Sequence, residues 1–260
     1  MTLPPLTHML DRRVVIRARP ETVFQYFTDP ARWAAWWGAG STIDARPGGR
    51  VFVRHPNAVE ASGEVLEIDP PRRIVYTYGY AGGQPMPPGG SRVTITLEED
   101  PAGTRLHLHH AFAESDARDH HVQGWRYQLA VFANVVADAV LGGAPGRVDA
   151  WFAAWSEPDA GRRGALLDAV TTSGIRFRDR FSLVAGRADL DPHLDAVHRF
   201  MPGSRLERAG EVRQCQGMAL ADWIARGPDG GERGRGTNVF EFDVEGRIDG
   251  VVGIWAPPAR

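Results

Sequence analysis

Hydrophobic and polar residues alternate with a period of two in several short stretches of the first half of the chain. In residues 12–19, Val14, Ile16 and Ala18 fall on one face, which is typical of a β-strand. The same alternation predicts further strands at 41–46, 50–55, 60–68, 73–80, 91–98 and 104–112. Because short turns join consecutive strands, we expect an antiparallel meander.

A helical period replaces this alternation at three places in the first half. Pro20 and the pair Asp29-Pro30 each suit a helix start, so two short helices are expected between the first two strands. After the last strand, apolar residues recur at steps of three and four from Val122 to Val140, which predicts one long amphipathic helix.

The pattern restarts after the segment 142–146 (GGAPG), which we interpret as a boundary between a domain at 10–141 and a second domain at 147–256. Helical spacing then predicts helices around 148–155, 166–170 and 190–201. Strands are predicted at 174–181, 205–216, 218–226, 237–243 and 248–255, and a loop at 227–236. The expected fold class is therefore α+β in both halves.

Composition narrows the function classes. The formal net charge is −2, with 30 basic and 32 acidic side chains, so we expect no nucleic-acid partner. No apolar run approaches the length of a membrane span, and Cys215 is the single cysteine. We therefore expect a cytoplasmic protein without an internal disulfide.

The first half resembles a known family in its local sequence. The segments PETVFQYFTDPARWAAWW, RPGGRVFV, GEVLEIDPPRRIVYTY, SRVTITLEEDPAGTRLHLHH and HHVQGWRYQLAVF occur in the order and spacing of that family. They resemble the activator-of-heat-shock-ATPase-homologue-like branch of the START/Bet v 1-like (SRPBCC) superfamily. The resemblance implies a helix-grip fold, with a cavity for apolar molecules between the sheet and the last helix.

The second half resembles the SnoaL-like, or nuclear-transport-factor-2-like, α+β cone fold. The matching segments are DAWFAAWSEPD, GIRFRD, DLDPHLDAVHRFMPGSRL and GTNVFEFDVEGRIDGVVGIW. That family includes cyclases, isomerases, dehydratases, epoxide hydrolases and proteins that only bind ligands. The fold by itself therefore does not fix the function.

Asp179 is the candidate catalytic residue. The resemblance puts it where isomerases of the cone fold keep the acid that transfers a proton, with Trp151 and Asn238 in place of their tyrosine and second acid. An indole N–H and an amide are still hydrogen-bond donors, so an oxyanion site is conceivable. We expect Asp179 to share a cavity with Trp151, Trp223 and Asn238. The alternative is a structural Asp179 that caps a turn or pairs with Arg178, Arg180 or Arg213.

Aromatic residues are the candidate ligand contacts of the first half. Tyr76, Tyr78 and Tyr80 share one strand face. The apolar stripe of the long helix, which includes Trp125, is expected to pack against the sheet. We expect a cavity bounded by Tyr76, Tyr78 and Trp125, with 81–90 at its mouth. Trp37 and Tyr127 are further candidates for its lining. Ordinary core packing is the alternative for this set.

Neither a metal nor a cofactor is predicted. Alternation sets His107 and His109 opposite Leu106 and Leu108, so they are expected to face solvent rather than to hold zinc. The glycines at 47–49 and 81–90 do not join a strand to a helix as a phosphate-binding loop does.

Three functions are compatible with these features. The favoured one is binding of small apolar or aromatic molecules, such as polyketides, lipids or terpenoids, in one or both domains. The first alternative is a cofactor-independent cyclase, isomerase or hydrolase with Asp179 as general base. The second is a co-chaperone-like interaction protein. A homodimer is compatible with each.

Overall fold

The structure is a computed structural model and describes residues 5–257. The chain divides into two compact units, the first ending at Ala137 and the second beginning at Asp138.

The first unit is built on a seven-stranded sheet in the order β1-β7-β6-β5-β4-β3-β2, in which every neighbouring pair is antiparallel. Its strands are β1 (His8–Ile16), β2 (Thr42–Ile43), β3 (Arg50–Arg54), β4 (Glu60–Asp69), β5 (Arg73–Tyr78), β6 (Ser91–Asp100) and β7 (Gly103–Phe112). Strand β1 starts four residues before the predicted strand at 12–19. It pairs with β7, the last strand of the unit in the chain, whereas β2 to β7 form the predicted meander of consecutive strands.

Three helices begin in this unit: α1 (Pro20–Gln25), α2 (Pro30–Trp37) and α3 (Ser115–Val140). The predicted cap of α2 is confirmed, because the Asp29 carboxylate accepts a hydrogen bond from the Arg32 amide at 2.9 Å. The apolar stripe of α3 is buried from Ala117 to Ala137.

Three helices and a six-stranded sheet form the second unit. The helices are α4 (Ala144–Ser156), α5 (Ala160–Val170) and α6 (Arg187–Phe200). The strands are β8 (Thr171–Arg178), β9 (Leu183–Ala185), β10 (Arg205–Cys215), β11 (Met218–Arg226), β12 (Glu232–Phe242) and β13 (Ile248–Trp255). They lie in the order β10-β11-β12-β13-β8-β9, with β13 and β8 parallel.

The α+β fold class is confirmed in both units, as a helix-grip fold followed by helices packed against a six-stranded sheet. In the second unit, β9, β12 and α4 differ from the sequence-based expectation. Strand β9 was not predicted, because three residues are too few to show a period. Strand β12 begins at Glu232, inside the segment predicted as a loop, since Gly234 and Gly236 pair in the sheet despite their turn-like composition. Helix α4 begins at Ala144, inside the predicted linker, where Pro145 occupies its first turn.

Candidate functional site

A cavity of about 790 Å³ lies in the second unit. Its lining comes from α4, α6, the turn after β8, and strands β10 to β13. Aromatic side chains dominate the lining: Trp155, Phe177, Phe181, Trp223 and Trp255. Such a space, apolar with a few polar groups, is typical of small-molecule sites.

Asp179 lies in the turn after β8 and lines this cavity. Its Oδ1 accepts a hydrogen bond from the Phe181 amide at 2.8 Å, and its Oδ2 accepts one from Trp255 Nε1 at 3.0 Å. Within residues 5–257 no cationic side chain forms an ion pair with it, and Arg213 pairs with Asp222 instead at 3.3 Å. Asp179 thus closes a turn, as the structural alternative requires, and also faces the cavity.

Asn238 is brought next to Asp179 by the pairing of β12 with β13. It lies opposite Gly253 in the register, and its side chain is 4% exposed. A Cβ built on Gly253 would lie 3.1 Å from Asp179 Cβ and 3.3 Å from Asn238 Oδ1. Both polar side chains therefore converge on the bare backbone of residue 253.

Trp223 and Trp255 form one wall of the cavity, with ring centroids 4.9 Å apart and nearly perpendicular planes. Each ring lies against a glycine of β12. A Cβ on Gly236 would come within 2.6 Å of Trp223 Cζ2, and one on Gly234 within 2.7 Å of Trp255 Cζ3. The glycines of the sequence RGRGTNVF therefore make room for the two indoles.

Trp151 occupies a different position from the one expected. It is fully buried and contacts Trp155, Phe177 and Phe240, with ring centroids 5.8 to 6.2 Å apart. It lies in the core behind Trp155, and Trp155 faces the cavity. Both are on the stripe of α4 that the sequence marks as buried, and only the packing decides which of them meets open space.

His193 is a cavity residue that the sequence reasoning missed. Its Nε2 lies 3.3 Å from Ser182 Oγ, and its ring contacts Trp155 and Phe177. The signal was present, because His193 falls on the same helical stripe as Leu190, Leu194 and Val197. A polar residue on an apolar stripe marks the place where α6 faces the cavity.

The aromatic candidates of the first unit contact one another. The Trp37 ring lies 6.3 Å from Tyr78 and 5.6 Å from Trp125, and all three are buried. Tyr76 contacts Trp33 instead, at 5.8 Å, and burial raises the pKa of its hydroxyl. Tyr127 is 65% exposed on α3, so its grouping with the buried set was wrong.

Polar groups without partners occur in this aromatic cluster. Among the described residues, neither Trp37 Nε1 nor the Tyr76 hydroxyl has a hydrogen-bond partner, although both atoms are buried. The loop 81–90 folds back onto the residues that follow β5, with Met86 buried and its carbonyl accepting from the Tyr80 amide at 3.0 Å.

Two buried histidines connect α3 to the sheet. Trp125 Nε1 donates to His110 Nδ1 at 2.8 Å, so Nδ1 carries no proton and Nε2 donates to Ser91 Oγ at 2.7 Å. His121 donates from Nδ1 to the Ala117 carbonyl at 2.7 Å. Its Nε2 therefore accepts from the Tyr80 hydroxyl at 3.1 Å. Burial lowers the pKa of both imidazoles, and that of His110 most strongly.

His107 and His109 lie on the outer face of β7, where both hydrogen-bond the Asp11 carboxylate at 3.0 and 2.9 Å. The hydrogen bond from His109 is the main cause of a lowered Asp11 pKa. In the part of the chain that the structure describes, no group of three His, Cys, Asp or Glu side chains is arranged to hold a metal ion.

A comparison with known families finds one family model that matches the first unit. Residues 17–137 match the family described as Activator of Hsp90 ATPase homolog 1-like protein. This agrees with the resemblance seen in the sequence and with the helix-grip topology of the unit. No curated protein matched the chain.

Three solved structures are each similar to about half of this chain. An AHSA1-like protein from Rhizobium etli is 31% identical over 52% of this chain and 85% of its own, with a TM-score of 0.43. The Aha1 dimer from Colwellia psychrerythraea is 20% identical over 47% and 91%, with a TM-score of 0.41. A putative isomerase of the SnoaL-like family from Agrobacterium tumefaciens is 28% identical over 43% and 96%, with a TM-score of 0.41.

Between residues 5 and 257, no single helix is long and apolar enough to cross a membrane, although α3 and α4 together meet the length and composition limits.

Proposed function

We propose that the second unit is a SnoaL-like domain and that it binds a flat apolar small molecule in its cavity. The observation that carries this proposal is the space of about 790 Å³ whose lining is mainly aromatic. This volume lies within the range of roughly 300–1,000 Å³ that is usual for ligand pockets. Ring faces and edges at several angles offer both stacked and edge-on contacts to a planar ligand.

A fluorescent probe tests this proposal. The uncharged dye N-phenyl-1-naphthylamine is flat and apolar, and its emission rises in apolar surroundings. We expect saturable binding to the full chain. Ala225 lines the cavity, and Ala225→Phe adds a ring to the open space, so we expect affinity at least about tenfold weaker.

The matched control is Ala102→Phe, the same substitution at an exposed turn of the first unit. It should leave the affinity of the dye unchanged. Equal binding by wild type and Ala225→Phe would contradict the proposal. If Ala225→Phe fails to fold, Val197→Phe on α6 offers a second way to fill the cavity. Native mass spectrometry of the purified protein would identify a ligand carried through purification.

Proton transfer by Asp179 is the second candidate function. It is favoured because the carboxylate lines the apolar cavity beside the Asn238 side chain and Trp223. The buried Trp223 Nε1 has no partner among residues 5–257, so an N–H is available for a ligand oxygen. The chain has no lysine, which excludes a lysine Schiff base.

Deuterium exchange tests this second candidate. The flat ketone 2-tetralone has acidic α-protons, and NMR in D2O reports their exchange. A base at position 179 should accelerate the exchange over buffer, and both Asp179→Asn and Ala225→Phe should abolish the acceleration. Exchange at the buffer rate with wild type would contradict a base that acts on ketones, while leaving the binding function intact.

For the first unit we propose a second apolar site that involves Trp37, Tyr76, Tyr78 and Trp125. The unpartnered Trp37 Nε1 and Tyr76 hydroxyl support it, since buried polar atoms usually have partners. A co-chaperone-like role, a homodimer and a cytoplasmic location stay predictions.

A further inference from the structure

A second, more polar pocket of about 380 Å³ adjoins the cavity of the second unit. The two spaces share one stretch of lining, which consists of Ser204, Arg205, Arg226, Gly227 and Pro228. A ligand in the aromatic cavity that extends past this stretch therefore enters polar surroundings.

Two arginines of this shared lining are neighbours in the sheet. Arg205 is the first residue of β10 and Arg226 is the last residue of β11, and they are direct partners in the antiparallel register. Side chains of directly opposite residues lie on the same face of the sheet, where two like charges destabilise the pairing. An anion between the two guanidinium groups would remove this repulsion.

Internal carboxylates neutralise only one of the pair. Arg226 donates to Glu207 at 2.8 Å and to the Gly230 carbonyl at 3.2 Å. Arg205 is exposed and forms no ion pair or side-chain hydrogen bond with any residue between 5 and 257. In the adjoining pocket, the buried His198 Nε2 is likewise without a partner in the described chain. Among the described residues, the shared lining thus offers one uncompensated cation, Arg205, and a buried imidazole nitrogen without a partner lies close to it in the adjoining pocket.

Asp179 lies at the other side of the same sheet. It follows β8, which is four strands from β10 in the order of the sheet. At about 4.8 Å per strand this is roughly 19 Å measured along the sheet. Asp179 and Arg205, the acid and the arginine of the site that have no ion-pair partner among the described residues, are therefore separated, so an acidic group on a ligand is attracted to the Arg205 end and repelled from the Asp179 end.

We infer that the ligand of this cavity is an organic anion, with a flat apolar body among the aromatic rings and one acidic group held at Arg205 and Arg226. The inference rests on the proposed function, because it presupposes that the cavity binds an apolar molecule. It adds the charge and the orientation of that molecule.

Two dyes that differ by one sulfonate test the charge. The anionic 8-anilinonaphthalene-1-sulfonate and the uncharged N-phenyl-1-naphthylamine share their ring system. We expect wild type to bind the sulfonate more tightly, and its advantage to shrink as sodium chloride is added, since salt screens exposed charges. In Arg205→Gln the ratio of the two affinities should fall about fivefold, and Arg205→Lys should restore part of it.

Arg213→Gln is the matched control, because Arg213 is an exposed arginine of the same strand that lines neither pocket. It changes the net charge equally and should leave the affinity ratio unchanged. If the uncharged dye binds in the cavity but Arg205→Gln and salt leave the ratio as in wild type, the anionic ligand is ruled out and the binding function stands. If filling the cavity at Ala225 affects neither dye, both proposals fail.

Discussion

Single glycines decide where the indole rings of the cavity lie. The edge of the Trp223 ring packs against Gly236 because this residue has no side chain. The backbone of Ile254 on the neighbouring strand also leaves no room for a Cβ at this position. A Cβ there would lie 2.2 Å from the Ile254 carbonyl oxygen and 2.6 Å from Trp223 Cζ2. The close approach to backbone means that the clash cannot be relieved by rotating a side chain.

We therefore expect Gly236→Ala to lower the free energy of unfolding by about 1–3 kcal/mol and to weaken binding of the uncharged dye, because Trp223 must move. Urea unfolding and dye titration measure the two effects. Gly174→Ala is the control, since Gly174 lies in β8 with open space around its Cα and should show no loss of stability. Equal stability of the two variants would contradict this account of Gly236.

Asp179 combines a structural and a candidate chemical role. In Asp179→Asn one amide oxygen replaces two carboxylate oxygens, so either the Phe181 amide or Trp255 Nε1 loses its acceptor. We expect a loss of about 1–3 kcal/mol in the free energy of unfolding. Asp243→Asn, at a half-buried turn residue whose carboxylate also accepts backbone N–H groups, provides the comparison. A fully stable Asp179→Asn would show that these two hydrogen bonds contribute little.

At the scale of elements, α3 is held to the sheet by hydrogen bonds that require neutral histidines. His110 on β7 accepts from Trp125, and His121 on α3 accepts from Tyr80. His55, whose Nε2 lies 3.0 Å from the Tyr78 hydroxyl, belongs to the same buried cluster. Burial is the first cause of the lowered pKa of all three imidazoles. Protonation of His110 at Nδ1 would bring its new N–H against the Trp125 indole N–H, so the hydrogen bond between His110 and Trp125 of α3 would be lost.

These histidines predict acid sensitivity of the first unit. The unfolded chain takes up protons near the ordinary histidine pKa of about 6.5, whereas the folded unit resists protonation. The stability contribution is therefore complete above pH ~6.5 and is lost as the pH falls towards the lower folded values, by at most about 1.4 kcal/mol per pH unit for each histidine.

Urea unfolding between neutral and mildly acidic pH measures this slope. His110→Gln should make it shallower, because one proton uptake is removed. Gln123→Asn, at an exposed position of α3 that carries no titrating group, should leave the slope as in wild type. Identical slopes in all three proteins would show that His110 does not contribute to the acid sensitivity.

At the scale of the whole molecule, each unit has its own aromatic core. Trp33 is fully buried in the first unit, and Trp151 is fully buried in the second. The core of the second unit is a continuous cluster that runs from Leu141 to Val251. Because each unit has a core of its own, we expect each to unfold as a cooperative body.

We expect calorimetry to resolve two unfolding transitions. Trp151→Ala should lower the midpoint of one transition, with a loss of about 3–5 kcal/mol, and Trp33→Ala should lower the midpoint of the other. Each variant serves as the control for its counterpart. A shift of both transitions by either substitution would show that the units unfold together.

The sequence alone determined what depends on local periodicity and local chemistry. Alternation located most strands and three-to-four spacing located the helices, because these periods decide which side of an element is buried. The cap at Asp29 followed from its neighbours in the chain. The sequence also put Asp179 near the end of a predicted strand at 174–181, whereas the structure ends β8 at Arg178 and places Asp179 in the turn, where its hydrogen bond to Phe181 spans two residues.

Only the tertiary structure decided what each buried face meets. Trp151 and Trp155 share a stripe of α4, yet one packs in the core and the other faces the cavity. Arg205 and Arg226 become opposite partners through the register of β10 with β11. A hydrophobic period indicates that a side chain points inward, but it does not say which residues lie next to it. Those neighbours depend on the register and the order of the strands, and both are set by contacts between residues far apart in the chain.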